Sequence, residues 1–285
     1  IPTPDWYRNV EYLEEQKRGY DYKEDLFVPG YFECLIKKNE SIIFSASTEE
    51  IKSPGTLKAV YTKEKKKRTP RSSYINCLNV AAEQFIVNIE GKTEIIAGFP
   101  WFGAWGRDTF ISLPGLTLST GKIETAKNII DTMIKRMKGG LFPNMGNYDN
   151  PAFNSVDAPL WFFHALNEYS KYDTALDIWN TYKEAVCQIL NAYRFGTIYN
   201  IRMLDNGLIW AGEEGKALTW MDAVIFSGPV TPRMGLAVEI NGLWYNAVCV
   251  SLEWAKKAGD KKFVKEWKTL PAKIESFNFG SDKIR

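Results

Sequence analysis

The chain has 285 residues, of which 45% are hydrophobic and 14% aromatic, and its formal net charge is +2. A chain of this length can bury a sizeable core and form one or two domains. The near-neutral charge gives no reason to expect nucleic acid or an anionic membrane as a partner, and no apolar run is long enough to cross a bilayer.

The four cysteines (Cys34, Cys77, Cys187 and Cys249) are far apart and lack the CxxC spacing of a zinc site. Three of them fall in helix-like segments, where a free cysteine behaves as a small buried apolar residue. We therefore expect reduced thiols in a cytoplasmic protein without a disulfide framework, metal or other cofactor. No signal peptide is recognised. Because the sequence opens at Ile1 without a methionine, it is expected to be a processed chain or a piece of a longer one.

The first part of the chain has the pattern of strands. The segments "YFECLIKK" (31–38) and "SIIFSAST" (41–48) are short and rich in β-forming residues, and the charged stretch at 12–26 is helix-like. Two strands cannot form a stable sheet alone, so residues 1–60 are predicted to be the C-terminal part of a β-domain. A linker is predicted over 61–71, because its "KEKKKR" run before Thr-Pro is typical of solvated chain.

From residue 72 onward the hydrophobic pattern is helical. Apolar residues recur at intervals of three and four in 75–89, 123–137, 175–193 and 240–254, and weaker patterns cover 107–118, 157–170 and 261–275. About seven helices are therefore expected. Short turns alternate with long loops rich in glycine and acids, which is typical of a ring of helical hairpins with a site on the long loops. We predict a mainly α domain over 72–285.

The first long loop, at 91–106, leads into "WFGAWGRD". Trp101 and Trp105 could stack on a sugar ring, while Arg107 and Asp108 could hydrogen-bond neighbouring hydroxyl groups. Asp108 could instead only cap a helix, because it lies near a predicted N-terminus. Capping does not explain two tryptophans in a glycine-rich loop, so the loop is predicted to be one wall of a pocket.

The second long loop ends at Asp157, which precedes Ala-Pro as a helix N-cap does. Capping and a functional role are equally open for this residue. The run Trp161, Phe162 and Phe163 is predicted to be core or the floor of the pocket. His164 follows it without a serine or cysteine partner motif, and is expected to be a core histidine.

The third long loop, at 194–238, has the highest density of acids. Its "LDNGLIW" segment resembles a β-hairpin with Asn-Gly at the turn. Asp222 lies in "TWMDA", after Trp220 and Met221 and before Ala223. A carboxyl group held among apolar side chains favours the protonated form, which is what a general acid needs at neutral pH.

Three other acids accompany Asp222. Glu213 and Glu214 are competing candidates, of which at least one is predicted to lie in a solvated turn. Glu239 begins a helix, so that capping and substrate contact are equally open. Since no phosphate-binding loop, metal-ligand spacing or nucleophile elbow occurs in the sequence, the remaining chemistry is that of carboxylates in an aromatic pocket. Glycoside hydrolysis fits this combination best.

The segments "GFPWFGAWGRDTFISLPGL", "NSVDAPLWF", "TWMDA" and "TPRMGLAVEINGLWYNA" closely resemble the amylo-α-1,6-glucosidase part of bacterial and archaeal glycogen debranching enzymes. The resemblance covers residues 70–275, and "GYDYKEDLFVPGYF" resembles the end of the family's N-terminal β-domain. It implies an (α/α)6 barrel of the six-hairpin glycosidase type, present in part, and removal of α-1,6-linked glucose from glycogen or limit dextrin with inversion.

The resemblance implies that Asp222 donates the proton to the glycosidic oxygen. The residues predicted to bind the substrate are Trp101, Trp105, Arg107, Asp108, Asp157, Trp220 and Glu239. The family's general base is a glutamate beyond the seventh helix, which no residue here matches, and about five helices of such a barrel would be missing. We therefore expect a piece of a longer enzyme that is inactive alone.

Two alternatives stay open. The chain could belong to another exo-acting α-glucosidase on the same barrel, similar to glucoamylase or trehalase. It could also be a glycan-binding fragment without hydrolysis. In each case the expected partner is glycogen, limit dextrin or a malto-oligosaccharide, with no nucleic acid and no membrane.

Overall fold

A computed structural model of the chain describes residues 1–46, 54–98, 102–146, 150–174 and 177–278. The chain divides into two compact units, Ile1–Pro70 and Arg71–Arg285. Within the described ranges, every helix is too short or too polar to traverse a lipid bilayer.

The first unit is built on an antiparallel β-ribbon. Strands β1 (Pro2–Glu11) and β2 (Lys23–Gly30) pair on either side of the short helix α1 (Leu13–Arg18). The rings of Trp6 and Phe27 face each other across the ribbon, with centroids 5.1 Å apart. A longer helix, α2 (Pro54–Lys67), follows.

The two strands predicted for this unit are wrong. Residues 31–38 and 41–46 form no strand, because the paired strands lie earlier in the chain, and 47–48, the end of the second predicted strand, lie outside the described residues. The predicted linker at 61–71 contains the boundary between the two units, and its first part is helical as far as Lys67. Lysine and glutamate have good helix propensity, and Lys67 pairs with Glu64 one turn earlier at 3.0 Å. A run of like charges therefore does not by itself indicate irregular chain.

The second unit is mainly helical. Its helices are α3 (Tyr74–Glu83), α4 (Gly106–Leu116), α5 (Ile123–Arg136), α6 (Ala158–Tyr172), α7 (Ile178–Phe195), α8 (Val238–Lys257), α9 (Lys261–Trp267) and α10 (Leu270–Asn278). Its strands form antiparallel pairs: β3 (Ile86–Ile89) with β4 (Lys92–Ile95), β5 (Met145–Gly146) with β6 (Pro151–Ala152), β7 (Arg202–Met203) with β8 (Ile209–Trp210), and β9 (Val224–Ile225) with β10 (Gly228–Pro229).

The strong patterns at 123–137, 175–193 and 240–254 are confirmed as α5, α7 and α8, and the weaker ones at 107–118 and 157–170 as α4 and α6. The hairpin with the Asn-Gly turn is confirmed as β7–β8. The pattern at 75–89 is only half right, since α3 ends at Glu83 and β3 follows. The turn between β3 and β4 places Glu90 at φ 51° and Gly91 at φ 78°, the backbone geometry of a tight hairpin. The pattern at 261–275 divides into α9 and α10.

Helix α6 is the centre of this unit and packs against α4, α5, α7 and α8. The rings of Phe110, Phe142 and Phe162 form a buried triangle with centroid distances of 4.8, 5.4 and 5.3 Å. Phe162 and Phe163 are fully buried as predicted, whereas Trp161 and His164 are half-buried and meet edge to face. This packing fixes the starts of α4 and α6 beside each other.

The four cysteines are free thiols. Cys77, Cys187 and Cys249 lie in helices α3, α7 and α8, as predicted. The expectation of burial is wrong for Cys77, which is exposed, because α3 turns that face outward. Cys187 and Cys249 are half-buried, and burial raises the pKa of both thiols.

Candidate active site

The site is organised by the first turn of α4. The N–H of Gly106 donates to the carbonyl oxygen of Pro143 at 3.0 Å. A Cβ at Gly106 would lie 2.8 Å from that oxygen, so only glycine allows the approach. The next residue, Arg107, is 7% exposed, and its backbone N–H donates to Oδ1 of Asn144 at 3.2 Å. The helix start thus holds a buried arginine in a defined position.

The guanidinium group of Arg107 joins two predicted site residues. Its Nε and Nη2 donate to Oδ2 and Oδ1 of Asp157 at 2.7 and 2.9 Å, which is the bidentate fork geometry. Its Nη1 donates to Oδ2 of Asp222 at 2.6 Å. Burial alone would lower the pKa of Arg107, but the hydrogen bonds and charges of Asp157 and then Asp222 outweigh it and raise that pKa.

Asp157 occupies the N-cap position of α6, yet its side chain makes no capping bond. The cap comes from Ser155, whose Oγ accepts from the N–H of Ala158 at 3.1 Å and donates to Oδ1 of Asp157 at 2.5 Å. The capping role considered for Asp157 is therefore wrong. The sequence reasoning missed Ser155, although a serine three residues before Ala158 has the spacing of a capping side chain.

Asp222 is brought to Arg107 by a backbone contact between two loops. The N–H of Val156 donates to the carbonyl oxygen of Leu218 at 2.9 Å, so the segment before α6 runs beside the segment before Asp222. The predicted apolar surroundings of Asp222 are wrong, because its partner is the Arg107 guanidinium. That partner is 115 residues away in the chain, and sequence neighbours do not reveal it. The Asp222 side chain is 24% exposed.

Asp108 lies next to Arg107 on α4 and is half-buried. Burial raises its pKa above the ordinary value. The charge of Arg107 and a backbone hydrogen bond oppose this rise, whereas the charges of Asp222 and Asp157 add to it, so the net pKa shift is upward. The start of α4 therefore has three carboxyl groups around one guanidinium, an excess of acid in a partly buried place.

The aromatic residues of the predicted wall have different environments. Trp105 is half-buried at the N-cap position of α4, and its ring meets Phe102 edge to face at 5.6 Å. Trp220 is 56% exposed, two positions before Asp222. Trp101 lies outside the described residues.

Glu239 is paired with a different arginine. Both its carboxylate oxygens accept from Arg233, one of them at 2.9 Å, and Arg233 also donates to the hydroxyl of Thr219 at 3.4 Å. The hydrogen bond from Arg233 is the main reason that the pKa of Glu239 is lowered. Since Thr219 precedes Asp222 by three residues, this pair fastens the Asp222 segment to the start of α8. Glu213 and Glu214 are both exposed at a turn.

A cavity of about 460 Å³ lies away from this cluster, at the C-terminal ends of α6 and α8. It is lined by Asn167, Trp179, Glu253 and Lys257 among others, and none of the predicted site residues borders it. The chemistry-bearing side chains are instead gathered where α4 and α6 begin. Within the described ranges, no three His, Cys, Asp or Glu side chains are grouped so as to hold a metal ion.

Comparison with known proteins agrees with these observations. The family model for amylo-alpha-1,6-glucosidase matches residues 80–282, and the model for the glycogen debranching enzyme N terminal matches residues 1–43. The glycogen debranching enzyme of Saccharomyces cerevisiae is 29% identical over 229 aligned residues, covering 59% of this chain and 15% of the yeast protein. The chain thus corresponds to a small part of that relative's length. Because the first family model spans more than half of the chain, the chain belongs to the amylo-alpha-1,6-glucosidase family.

Proposed function

We propose that this chain carries the proton-donating half of a glycoside hydrolase site that removes α-1,6-linked glucose from glycogen or limit dextrin with inversion. The observation that carries the proposal is the ion-paired cluster of Arg107, Asp157 and Asp222 in a chain of the amylo-alpha-1,6-glucosidase family. An excess of carboxyl groups suits this chemistry, because the transition state of glycoside hydrolysis resembles a cationic oxocarbenium ion.

Asp222 is the proton donor in this proposal. Its side chain is 24% exposed, compared with 9% for Arg107 and 3% for Asp157, so it is the member of the cluster that a substrate can reach. Since Oδ2 faces Arg107, the transferred proton is carried on Oδ1. In this proposal the glucose contacts Trp105, which directly precedes α4, and Trp220, which is exposed two positions before Asp222.

The helices α4 to α8 form part of an (α/α)6 barrel in this proposal, and the site lies at the end where α4 and α6 begin. The mainly helical fold and the grouping of acids at those helix starts support it. An inverting enzyme needs a second carboxyl group about 6.5–9.5 Å from the donor, with the attacking water between them. In the resemblance to the family this base is a glutamate later in the barrel, and we place it there.

The test uses the full-length protein with Asp222→Asn, which keeps the shape of the side chain and removes the proton. Turnover of limit dextrin should fall by about 10²–10⁴-fold, the usual contribution of a general acid. Turnover of α-glucosyl fluoride should fall much less, because fluoride leaves without a proton. The matched control is Asp205→Asn, an exposed acid on the β7–β8 turn, which should leave both activities unchanged.

Product analysis on limit dextrin and on linear malto-oligosaccharides settles the linkage. A debranching site releases free glucose from α-1,6 stubs in preference to α-1,4 ends, whereas a site of the glucoamylase kind releases glucose from both. If Asp222→Asn lowered the turnover of limit dextrin and of α-glucosyl fluoride equally, the result would contradict a donor role. Asp108 would then be the next donor to test, since its pKa is raised beside the same arginine.

A further inference from the structure

We propose that Ser155 and Asp157 are positioning residues that fix the Arg107 guanidinium and offset its charge, so that Arg107 aligns the Asp222 carboxyl group. The inference rests on the proposed role of Asp222 as proton donor and extends it to two buried residues that touch no substrate. It also replaces the predicted substrate-binding role of Asp157.

The geometry makes Asp157 the residue that orients Arg107. Asp157 takes two of the guanidinium hydrogen bonds, Asp222 takes one, and the Ser155 hydroxyl oxygen accepts a longer one from Nη2 at 3.5 Å. A bidentate pair fixes the plane of the guanidinium as well as its position. The direction of Nη1, and therefore the position of the Asp222 carboxyl group, follows from the Asp157 pair.

Ser155 decides which partner Asp157 takes. An aspartate at an N-cap position normally turns its carboxylate to the free amides of its own helix. Here the Ser155 hydroxyl, which is fully buried, accepts from the amide of Ala158 and donates to Asp157, so the carboxylate stays directed at Arg107. Removal of the hydroxyl leaves the amides of α6 free to compete for Asp157.

The charge balance gives the proposal a signature in pH. The charged groups that interact at this site include Arg107 and Asp108 from α4 and Asp157 from the start of α6. A neighbouring cation favours the ionised form of a carboxyl group, and a neighbouring anion opposes it. With Asp157 neutralised, Arg107 acts on Asp222 uncompensated. We therefore expect the alkaline limb of the pH–rate profile to move to lower pH in such a variant.

The experiment compares Asp157→Asn and Ser155→Ala in the full-length protein, with kcat, KM and the pH–rate profile on limit dextrin as readouts. For Asp157→Asn we expect kcat to fall at least about 10-fold, KM to change by less than about 2-fold, and the alkaline limb to move down by about one pH unit. Ser155→Ala should produce the same changes in smaller size. Turnover of α-glucosyl fluoride should be reduced much less.

Ser251→Ala is the matched control, because Ser251 is also fully buried and, among the described residues, its hydroxyl bonds only to the carbonyl oxygen of Ala247 within α8. It should leave the alkaline limb in place. If Asp157→Asn lowers the rate on both substrates without moving the limb, the role is only structural and the inference is overturned. If Asp157→Asn does not fold, the same measurement is made on Ser155→Ala. A shift of its alkaline limb to lower pH supports the inference, and an unchanged limb with a lowered rate overturns it. If Asp222→Asn lowered the turnover of α-glucosyl fluoride as much as that of limit dextrin, the proposed function itself would be overturned.

Discussion

The role of a single residue depends on its hydrogen-bond partner, as two aspartates at N-cap positions show. Asp157 is directed at Arg107 and leaves capping to a serine, whereas Asp260 caps its own helix. Asp260 accepts from the N–H of Phe263 at 3.0 Å, and its other oxygen accepts from Lys183 at 2.6 Å and from Trp179 at 3.3 Å. The hydrogen bond from Lys183, followed by that from Phe263, lowers the pKa of Asp260 to about 2.

This shift predicts a pH-dependent contribution to stability. Because the pKa of Asp260 falls from 3.8 to about 2 on folding, its ionised form stabilises the fold above pH 4, and this stabilisation is lost as pH falls from about 4 to 2. Asp260→Asn should therefore lower the urea midpoint at pH 7, and the difference from the parent protein should shrink below pH 4. Urea unfolding between pH 3 and 7 measures it.

The exposed Asp205→Asn is the control for this series, since a change there should shift the midpoint little at any pH. A difference between Asp260→Asn and the parent that stays constant down to pH 3 would contradict the ionic contribution. It would assign the stabilisation to the shape of the side chain.

At the scale of elements, α4 carries the site because its start is packed closely while its end is not. A Cβ at Gly106 would meet the Pro143 carbonyl oxygen at 2.8 Å and the Ala158 Cβ at 3.3 Å. A Cβ at Gly115, on the exposed last turn of the same helix, would meet nothing within 4 Å. A side chain larger than hydrogen can therefore be accommodated at Gly115 but not at Gly106 without a shift of the helix.

Alanine at these two positions should act in opposite directions. Gly106→Ala forces α4 away from the start of α6, which should cost about 1–3 kcal/mol of unfolding free energy and reduce hydrolysis, since Arg107 moves with the helix. Gly115→Ala should raise the unfolding free energy by about 0.5–1 kcal/mol, because alanine loses less conformational entropy than glycine in a helix. Chemical denaturation of both variants tests the pair, and stabilisation by Gly106→Ala would contradict the packing argument.

Periodicity predicted the elements of the second unit better than those of the first. The apolar faces of α5 to α8 are long, and a spacing of three and four residues between apolar side chains indicates that such a face is buried in a core. The hairpin β3–β4 was missed, because a short apolar run at Ile86–Ile89 continues the helical spacing of α3. In the first unit, β-forming residues at 31–38 indicated a strand without indicating a partner for it.

The site was predictable in membership but not in arrangement. Arg107, Asp157 and Asp222 were all chosen from the sequence, and the structure brings them into one ion-paired cluster. Their pairing was not predictable, since hydrophobic periodicity identifies the buried face of a helix but not which residues from elsewhere in the chain contact it. Ser155 was passed over because the adjacent acid had the same capping signal. The catalytic and binding roles of these residues stay predictions.

At the scale of the whole molecule, the two compact units match different family models, one over residues 1–43 and the other over residues 80–282. Arginines pair with three of the acids at the site: Arg107 with Asp157 and Asp222, and Arg233 with Glu239. The Arg107 guanidinium lies between two of these carboxylates and supplies their counter-charge.

We therefore expect hydrolysis by the full-length protein to be independent of divalent metal. Dialysis against a chelator should leave the rate of glucose release from limit dextrin unchanged, because guanidinium groups already pair with Asp157, Asp222 and Glu239. The measurement compares the chelated protein with a sample to which Mg²⁺ and Ca²⁺ have been returned. A loss of activity that either ion restores would contradict arginine as the counter-charge.

The separation of the cluster's members along the chain affects how the native state is reached. Helices α4 and α6 depend on local bonds, but Arg107 meets Asp157 only across 50 residues and Asp222 only across 115. Closing loops of that length costs entropy before any contact is gained, which slows folding more than it weakens the folded state. We therefore expect the ion pairs to form after the helices that carry them. A newly made chain should acquire its charge cluster late in folding.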